Sequence, residues 1–404
     1  MSRKTISKTQ TIIPNGMSED IHTSESEDEM QKVQEILKSH LVMSDDSSLT
    51  ETSDDEQQLE PETSKSKKKK KMHWTKKSFV SPTATFTQYF PTPPIDPELE
   101  PIDYFYLMFG KESFGILKDQ SNLYSVQVNP NRPANISENE IQQFIGILIM
   151  SGVYSFPQQR FYWANDTRVQ SIASAMSRDR FLSIKKFLHV VDNTNQLNQN
   201  DPDYDRAFKV RPLLNIVKEN FRKIPKEENL SVDEQIIPFK GRSVMKQHMP
   251  KKPNRWGYKM FLLAGGESGI CYDFVLYTGK ADKPKHGFCT DITLELCQTV
   301  PPMMNYKVYC DNYFTTVRLQ VELKKLGIFS IGTVRANRLP DLVMKDEKSL
   351  KREGRGSMDY RTTHVDGVEL CATRCINCLM MKHFSRFLTH FGRMLLFGNM
   401  LEFT

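Results

Sequence analysis

SVDEQIIPFKGRS, residues 231–243, decides how this chain is read. Starting at Leu230, LSVDEQIIPF has the residue types of a strand. Two acids, Asp233 and Glu234, sit inside that apolar-edged run, and Lys240 and Arg242 follow it. A carboxylate in an apolar strand costs several kcal/mol unless it is paired or metal-bound. The segment therefore calls for a cation at its acids and an anion at its bases.

The strands continue downstream. YKMFLLAGG and ICYDFVLYTG (258–279) read as two strands around the turn GGESG. YKVYCDNY (306–313) reads as a short strand ending at Asp311. TTVRLQVELKKLG reads as a helix with Leu319, Leu323 and Leu326 on one side and Gly327 just past its end. IFSIGTVRANR reads as another strand. Strand, hairpin, strand, helix, strand predicts an α/β layer.

Upstream the period changes to helical. SENEIQQFIGILIMSGVYS has Ser137 as a cap and Glu140 three residues later. SRDRFLSIKKFLHVVD puts Phe181, Ile184, Phe187 and Leu188 on one face. RPLLNIVKENFRKI (211–224) is a third such helix. Phe161, Tyr162 and Trp163 read as core. The fold class expected is therefore α/β with a helical N-terminal domain.

If the strands bearing Asp233 and Asp311 are neighbours, their carboxylates meet. Two close carboxylates resist joint ionisation unless a cation lies between them. Hard oxygen ligands favour Mg2+ or Mn2+. Two such ions about 3.5–4 Å apart can activate water and stabilise a leaving 3′ oxygen in phosphodiester cleavage. The same acids also read as surface or salt-bridged residues, and spacing leaves both readings open. FKGRSVMKQHMPKKPNRWGYK (239–259) carries Lys240, Arg242, Lys246, Lys251, Lys252 and Arg255, with Gly241, Pro250 and Pro253 breaking it into a loop. Beside a metal site such a loop holds phosphates; alone it is also a solvated basic loop.

Charge is unevenly spread. Residues 17–60 hold fourteen acids against two lysines, a net of −12. The whole chain is +6, so the remainder is +18. An acidic tail on a basic body points to a polyanionic partner. Lys67, Lys68, Lys69, Lys70 and Lys71 form a lysine run that reads as a nuclear import signal for a receptor, or as a solvated charge run. Residues 1–94 are expected to be a disordered acidic, then Lys-rich, tail. Seven cysteines, odd in number and irregular in spacing, fit reduced thiols. Cys371, Cys375 and Cys378 follow no firm zinc pattern. The N-terminus lacks a signal-peptide core, and no run is apolar for long enough to cross a membrane.

Taken together, SVDEQIIPFKGRS, KPNRWGYKMF, CYDFVLYTGK, YCDNYFTT and FSIGTVRANR, in that order, resemble the piggyBac transposase family. RFYWAND and MSRDRFLSIKKFLHVVDN extend the resemblance upstream, over roughly residues 95–374. It implies an RNase H-like core in which three Asp residues (a DDD set) bind two divalent metals, Mg2+ or Mn2+. It implies cutting of double-stranded DNA at element ends, joining at TTAA targets, and a helical part (95–225) that serves dimerisation and DNA binding. Asp233 matches the first catalytic and metal-binding Asp, and Asp311 the second. The family's third Asp lies in a motif resembling GGVD, which this sequence lacks. After GRGSMDYRTTHVDGVELCATR (354–374) the pattern gives way to CINCLMMKHFSRFLTHFGRMLLFGNMLEFT. The expectation is a partial core over 226–374, a divergent tail over 375–404, and a nuclear DNA-binding protein that is catalytically incomplete; an active DDD transposase is the alternative. In the tail, Phe384, Phe387, Leu388 and Phe391 share a helical side and could cover the sheet.

Overall fold

The computed structural model describes residues 71–79, 85–87, 99–250, 252, 254–279 and 284–376. The acidic segment, Lys67, Lys68, Lys69, Lys70, Lys251, Cys378 and the apolar stripe of the tail lie outside them.

Helices come first. They are α1 (Pro101–Phe109), α2 (Glu112–Val128), α3 (Glu138–Val153), α4 (Gln170–Ala175), α5 (Arg178–Phe187) and α6 (Arg211–Arg222). The Ser137 cap read from sequence is in place, and Ser177 is a second one. Ser137 Oγ accepts from the Glu140 amide, and Glu140 reaches back to the Ser137 amide. Ser177 Oγ accepts from the Arg180 amide and starts α5. Phe144 and Phe181 stack at 4.9 Å in the core these helices share. Burying each such side chain contributes about 1.5–3 kcal/mol.

The sheet follows: β1 (Asn229–Pro238), β2 (Gln247–His248), β3 (Trp256–Gly265), β4 (Cys271–Leu276), then helix α7 (Phe288–Leu296), β5 (Lys307–Cys310), α8 (Val317–Lys325) and β6 (Phe329–Gly332). β1 lies between β3, which is antiparallel to it, and β5, which is parallel. β5 pairs in parallel with β6, and β3 pairs in antiparallel fashion with both β2 and β4. The strand run is thus β4-β3-β1-β5-β6, three antiparallel strands followed by two parallel ones.

Alternation along β3 sorts the two faces. Tyr258, Met260 and Leu262 join the core formed with α1–α6. Phe261 and Leu263 join a second core with Leu296, Leu319 and Leu323 from α7 and α8. One sheet thus has helices packed on both faces. Leu326 departs from the sequence reading: it is 40% exposed, whereas Leu319 and Leu323 are fully buried. The chain leaves α8 at Leu326, and Gly327 turns with φ +70°.

The chain goes on through α9 (Glu347–Glu353) to a hairpin, β7 (Met358–Val365) and β8 (Val368–Cys375). Residues 71–79, which composition reads as part of a disordered tail, instead touch this hairpin. Thr75 and Thr362 exchange both backbone hydrogen bonds, at 2.9 and 2.8 Å. No helix among the described residues is long and apolar enough to cross a membrane. No disulfide joins the described cysteines.

Candidate functional site

β1 and β5 run side by side, with Val232 opposite Cys310. Asp233 and Asp311 are each the next residue along. In both strands the preceding residue points into the core on the α7–α8 side; period-two alternation turns Asp233 to the other face, and Asp311 lies in the turn just past the end of β5. The structure therefore brings the two sequence-singled acids to one place.

Local bonding fixes each of them. Asp233 Oδ1 accepts from the Glu234 amide at 2.7 Å. Asp311 Oδ1 accepts from the Tyr313 amide at 2.8 Å, closing a tight turn just after β5. The Thr315 hydroxyl donates to the Asp311 carbonyl at 2.7 Å, and the Thr315 amide to the same oxygen at 3.1 Å. Thr316 then caps α8.

Burial is the main electrostatic fact. It pushes the Asp233 carboxyl up to about 7, and the negative charges of Glu234 and Asp311 push the same way. The hydrogen bond from Glu234 and the charge of Lys252 oppose this without cancelling it. Asp311 is also raised, first by burial and then by Glu234, against the amide hydrogen bonds from Tyr313 and Phe314. Glu234, one residue from Asp233 and so on the opposite face, is held by Lys252 Nζ at 3.3 Å. Its other oxygen, Oε2, is buried without a hydrogen-bond partner.

Such a pair suits a hard divalent cation, which would relieve the like-charge crowding that burial has produced. Two carboxylates supply part of a coordination shell. Among the described residues no group of three or more His, Cys, Asp or Glu converges on one metal position.

The basic loop divides into two kinds of residue. Lys240, Arg242 and Arg255 are exposed. Lys252 is committed to Glu234, and Lys246 donates to the Gly241 carbonyl at 2.7 Å while lying over the Trp256 ring. The exposed three are those free to meet an anionic surface. Lys71 is exposed as well.

One residue given no role from sequence is Arg338. Its Nη1 donates to the carbonyls of Asn312, Tyr313 and Thr315, at 3.0, 2.7 and 3.1 Å. That guanidinium pins the turn that carries Asp311. It lies inside FSIGTVRANR, so its segment stood out in the sequence, but no spacing rule links it to the Asp311 turn. Lys259, buried in β3 and 4.1 Å from the Tyr313 ring centroid, packs on the same turn.

A family model described as Transposase IS4 matches residues 100–391, a span that runs beyond Arg374. PiggyBac transposable element-derived protein 3 of Homo sapiens is 32% identical over 275 residues, covering 66% of this chain and 44% of that protein. PiggyBac transposable element-derived protein 2 of Homo sapiens is 32% identical over 281 residues, covering 68% and 46%. The chain thus spans less than half the length of these curated relatives. Among solved structures, the piggyBac transposase synaptic complex with hairpin DNA superposes with a TM-score of 0.56 at 22% identity, over 67% of this chain and 57% of that one, a likeness of fold. By the family model and the curated relatives alike, this chain belongs to the piggyBac transposase family.

Proposed function

We propose that this chain is a piggyBac transposase-derived nuclear DNA-binding protein whose Asp233 and Asp311 form a divalent-metal site beside the DNA backbone. The observation that carries this is the pairing of β1 with β5, which places two half-buried, like-charged carboxylates together next to a loop with three exposed cations. The strand run β4-β3-β1-β5-β6, antiparallel then parallel, supports an RNase H-like core. The solved relative's complex with hairpin DNA supports DNA as the ligand.

In this reading each group has a task. Asp233 and Asp311 hold Mg2+ or Mn2+ through carboxylate oxygens, and the ion would supply activation of water and stabilisation of a leaving oxygen. Lys240, Arg242 and Arg255 hold phosphates and set the position of the duplex. Lys252 pairs with Glu234 and offsets part of the negative charge that Glu234 places on the two Asp residues. The lysine run from Lys67 to Lys71 serves an import receptor. A homodimer forms through the helical layer, where α1 leaves Ile102, Tyr104 and Leu107 exposed.

A second reading, strand cleavage by the same site, is favoured by the raised Asp233. A carboxyl held at about 7 is poised to exchange a proton near neutral pH.

The test is duplex binding by the full chain as salt is varied. Affinity should fall steeply with salt, and Arg242→Ala should weaken binding roughly tenfold and flatten the salt slope by about one phosphate contact. An unchanged slope in Arg242→Ala would remove the loop from the interface. Mg2+-dependent nicking of the same duplex, lost in Asp311→Asn, would establish the second reading.

A further inference from the structure

The turn that carries Asp311 is held from outside the sheet, and the hold extends to the segment just after the lysine run. Arg338 donates to three carbonyls of that turn. Two and three residues on, Pro340 and Asp341 are gripped by the N-terminal strap, residues 72–76. Trp74 Nε1 donates to the Pro340 carbonyl at 3.0 Å, and the Met72 amide donates to Asp341 Oδ2 at 3.1 Å. Asp341 has φ +62°, a left-handed conformation that costs an ordinary side chain energy and persists where neighbours impose it.

The strap is itself anchored at its far end. Thr75 pairs with Thr362 on β7, and Lys76 Nζ lies 3.7 Å from Asp359 Oδ1. Asp359 is buried, accepts from Arg361 at 2.6 Å and from the Lys345 amide at 2.9 Å, and so is a fixed post. The hairpin is tied to α8 through Arg318 and Asp366 at 3.0 Å. A closed path therefore runs from hairpin to strap, to the Pro340–Asp341 corner, to Arg338, to the Asp311 turn.

We infer that residues 72–76 and Arg338 are positioning elements for Asp311: the strap sets the 340–341 corner, and the corner sets the guanidinium that aims the carboxylate. An otherwise exposed tail thus has a task at the site. Undocking it, by a partner that takes up the adjacent lysine run, would loosen Asp311 without touching it. The functional weight of this rests on Asp311 belonging to the proposed site; the mechanical coupling does not.

The two are tested apart by amide hydrogen exchange on the metal-free full chain. The Tyr313 and Thr315 amides, bonded to Asp311 Oδ1 and to the Asp311 carbonyl, report the turn directly. In Arg338→Ala, peptides spanning 312–316 should exchange at least about tenfold faster, because a charged donor is lost from three acceptors. In Trp74→Phe, which keeps an aromatic ring but loses the indole N–H donor and the pyrrole part of the ring, the same peptides should exchange about threefold faster. Peptides from α3 should be unchanged in both. Unaltered exchange at 312–316 in Trp74→Phe overturns the role of the strap, and unaltered exchange in both variants overturns the inference entirely. If Arg338→Ala loosens α3 as well, its defect is global, and Trp74→Phe alone decides. A parallel Mn2+ titration should give about tenfold weaker binding in Arg338→Ala, the usual cost of losing an outer-shell support. Faster exchange with no Mn2+ binding even in the unmutated chain would uphold the coupling and sink the metal site.

Discussion

Glu140 and Asp233 are both partly covered carboxylates, and the molecule drives them in opposite directions. Glu140, in the helical layer, faces Arg180, which donates to it at 2.5 and 2.9 Å and holds it down at about 2. Asp233, on the sheet, is held up at about 7, first by burial and then by the negative charges of Glu234 and Asp311. Asp273 on β4 repeats the first arrangement: it is fully buried, with Arg222 at 2.9 Å and Lys218 at 3.5 Å. An acid with its cation built in is a joint between layers. Asp233 and Asp311 are gathered with no direct ion pair among the described residues, and the proposed metal site rests on that difference.

The comparison can be broken by removing acids of each kind. The largest effect should come from Asp273→Ala, which removes the buried acid that Arg222 and Lys218 share between α6 and β4. It should cost about 3–5 kcal/mol in denaturant unfolding, and a loss below 1 kcal/mol would deny Asp273 its role as a joint. Asp233→Asn should do the reverse. A carboxyl whose folded value is raised favours the folded state only at low pH, and that advantage is lost as pH climbs from about 4 to about 7. Relative to the unmutated chain, the Asn variant should be equally stable near pH 4 and more stable by roughly 2 kcal/mol above pH 7. Destabilisation at pH 8 would contradict the crowding argument. Glu140→Gln is the smaller counterpart. A depressed carboxyl contributes stability above its unfolded value, lost as pH falls toward about 2. The Gln variant should thus cost about 1–2 kcal/mol at pH 7 and nothing near pH 2, as thermal melts across pH would record.

Much of this was legible in the sequence, for identifiable reasons. The cap at Ser137 and the strands β1, β3 and β4 follow local rules that tertiary structure did not override. The meeting of Asp233 and Asp311 followed from one correct guess about strand neighbours. What escaped notice is non-local or weakly patterned. α7 carries two threonines amid mixed apolar residues, and its helical period is faint. β7 and β8 are polar strands, although Asp366 and Gly367, both at positive φ, are the Asp-Gly pair that marks a two-residue hairpin turn. The partition of the basic loop was unreadable, because only the fold reveals that Lys252 is spent on Glu234 and Lys246 on a carbonyl. Acids and bases share one short segment because the loop after β1 returns Lys252 to it, paired directly with Glu234 and acting on Asp233 through its charge alone.

The central claim is that Asp233 and Asp311 hold a divalent cation. Calorimetric titration of Mn2+ into the full chain at pH 8 tests it most directly, with Asp233→Asn and Asp311→Asn titrated alongside. Saturable binding in the unmutated chain, lost in both variants, is the predicted result. No binding, or binding that survives in either variant, would contradict it.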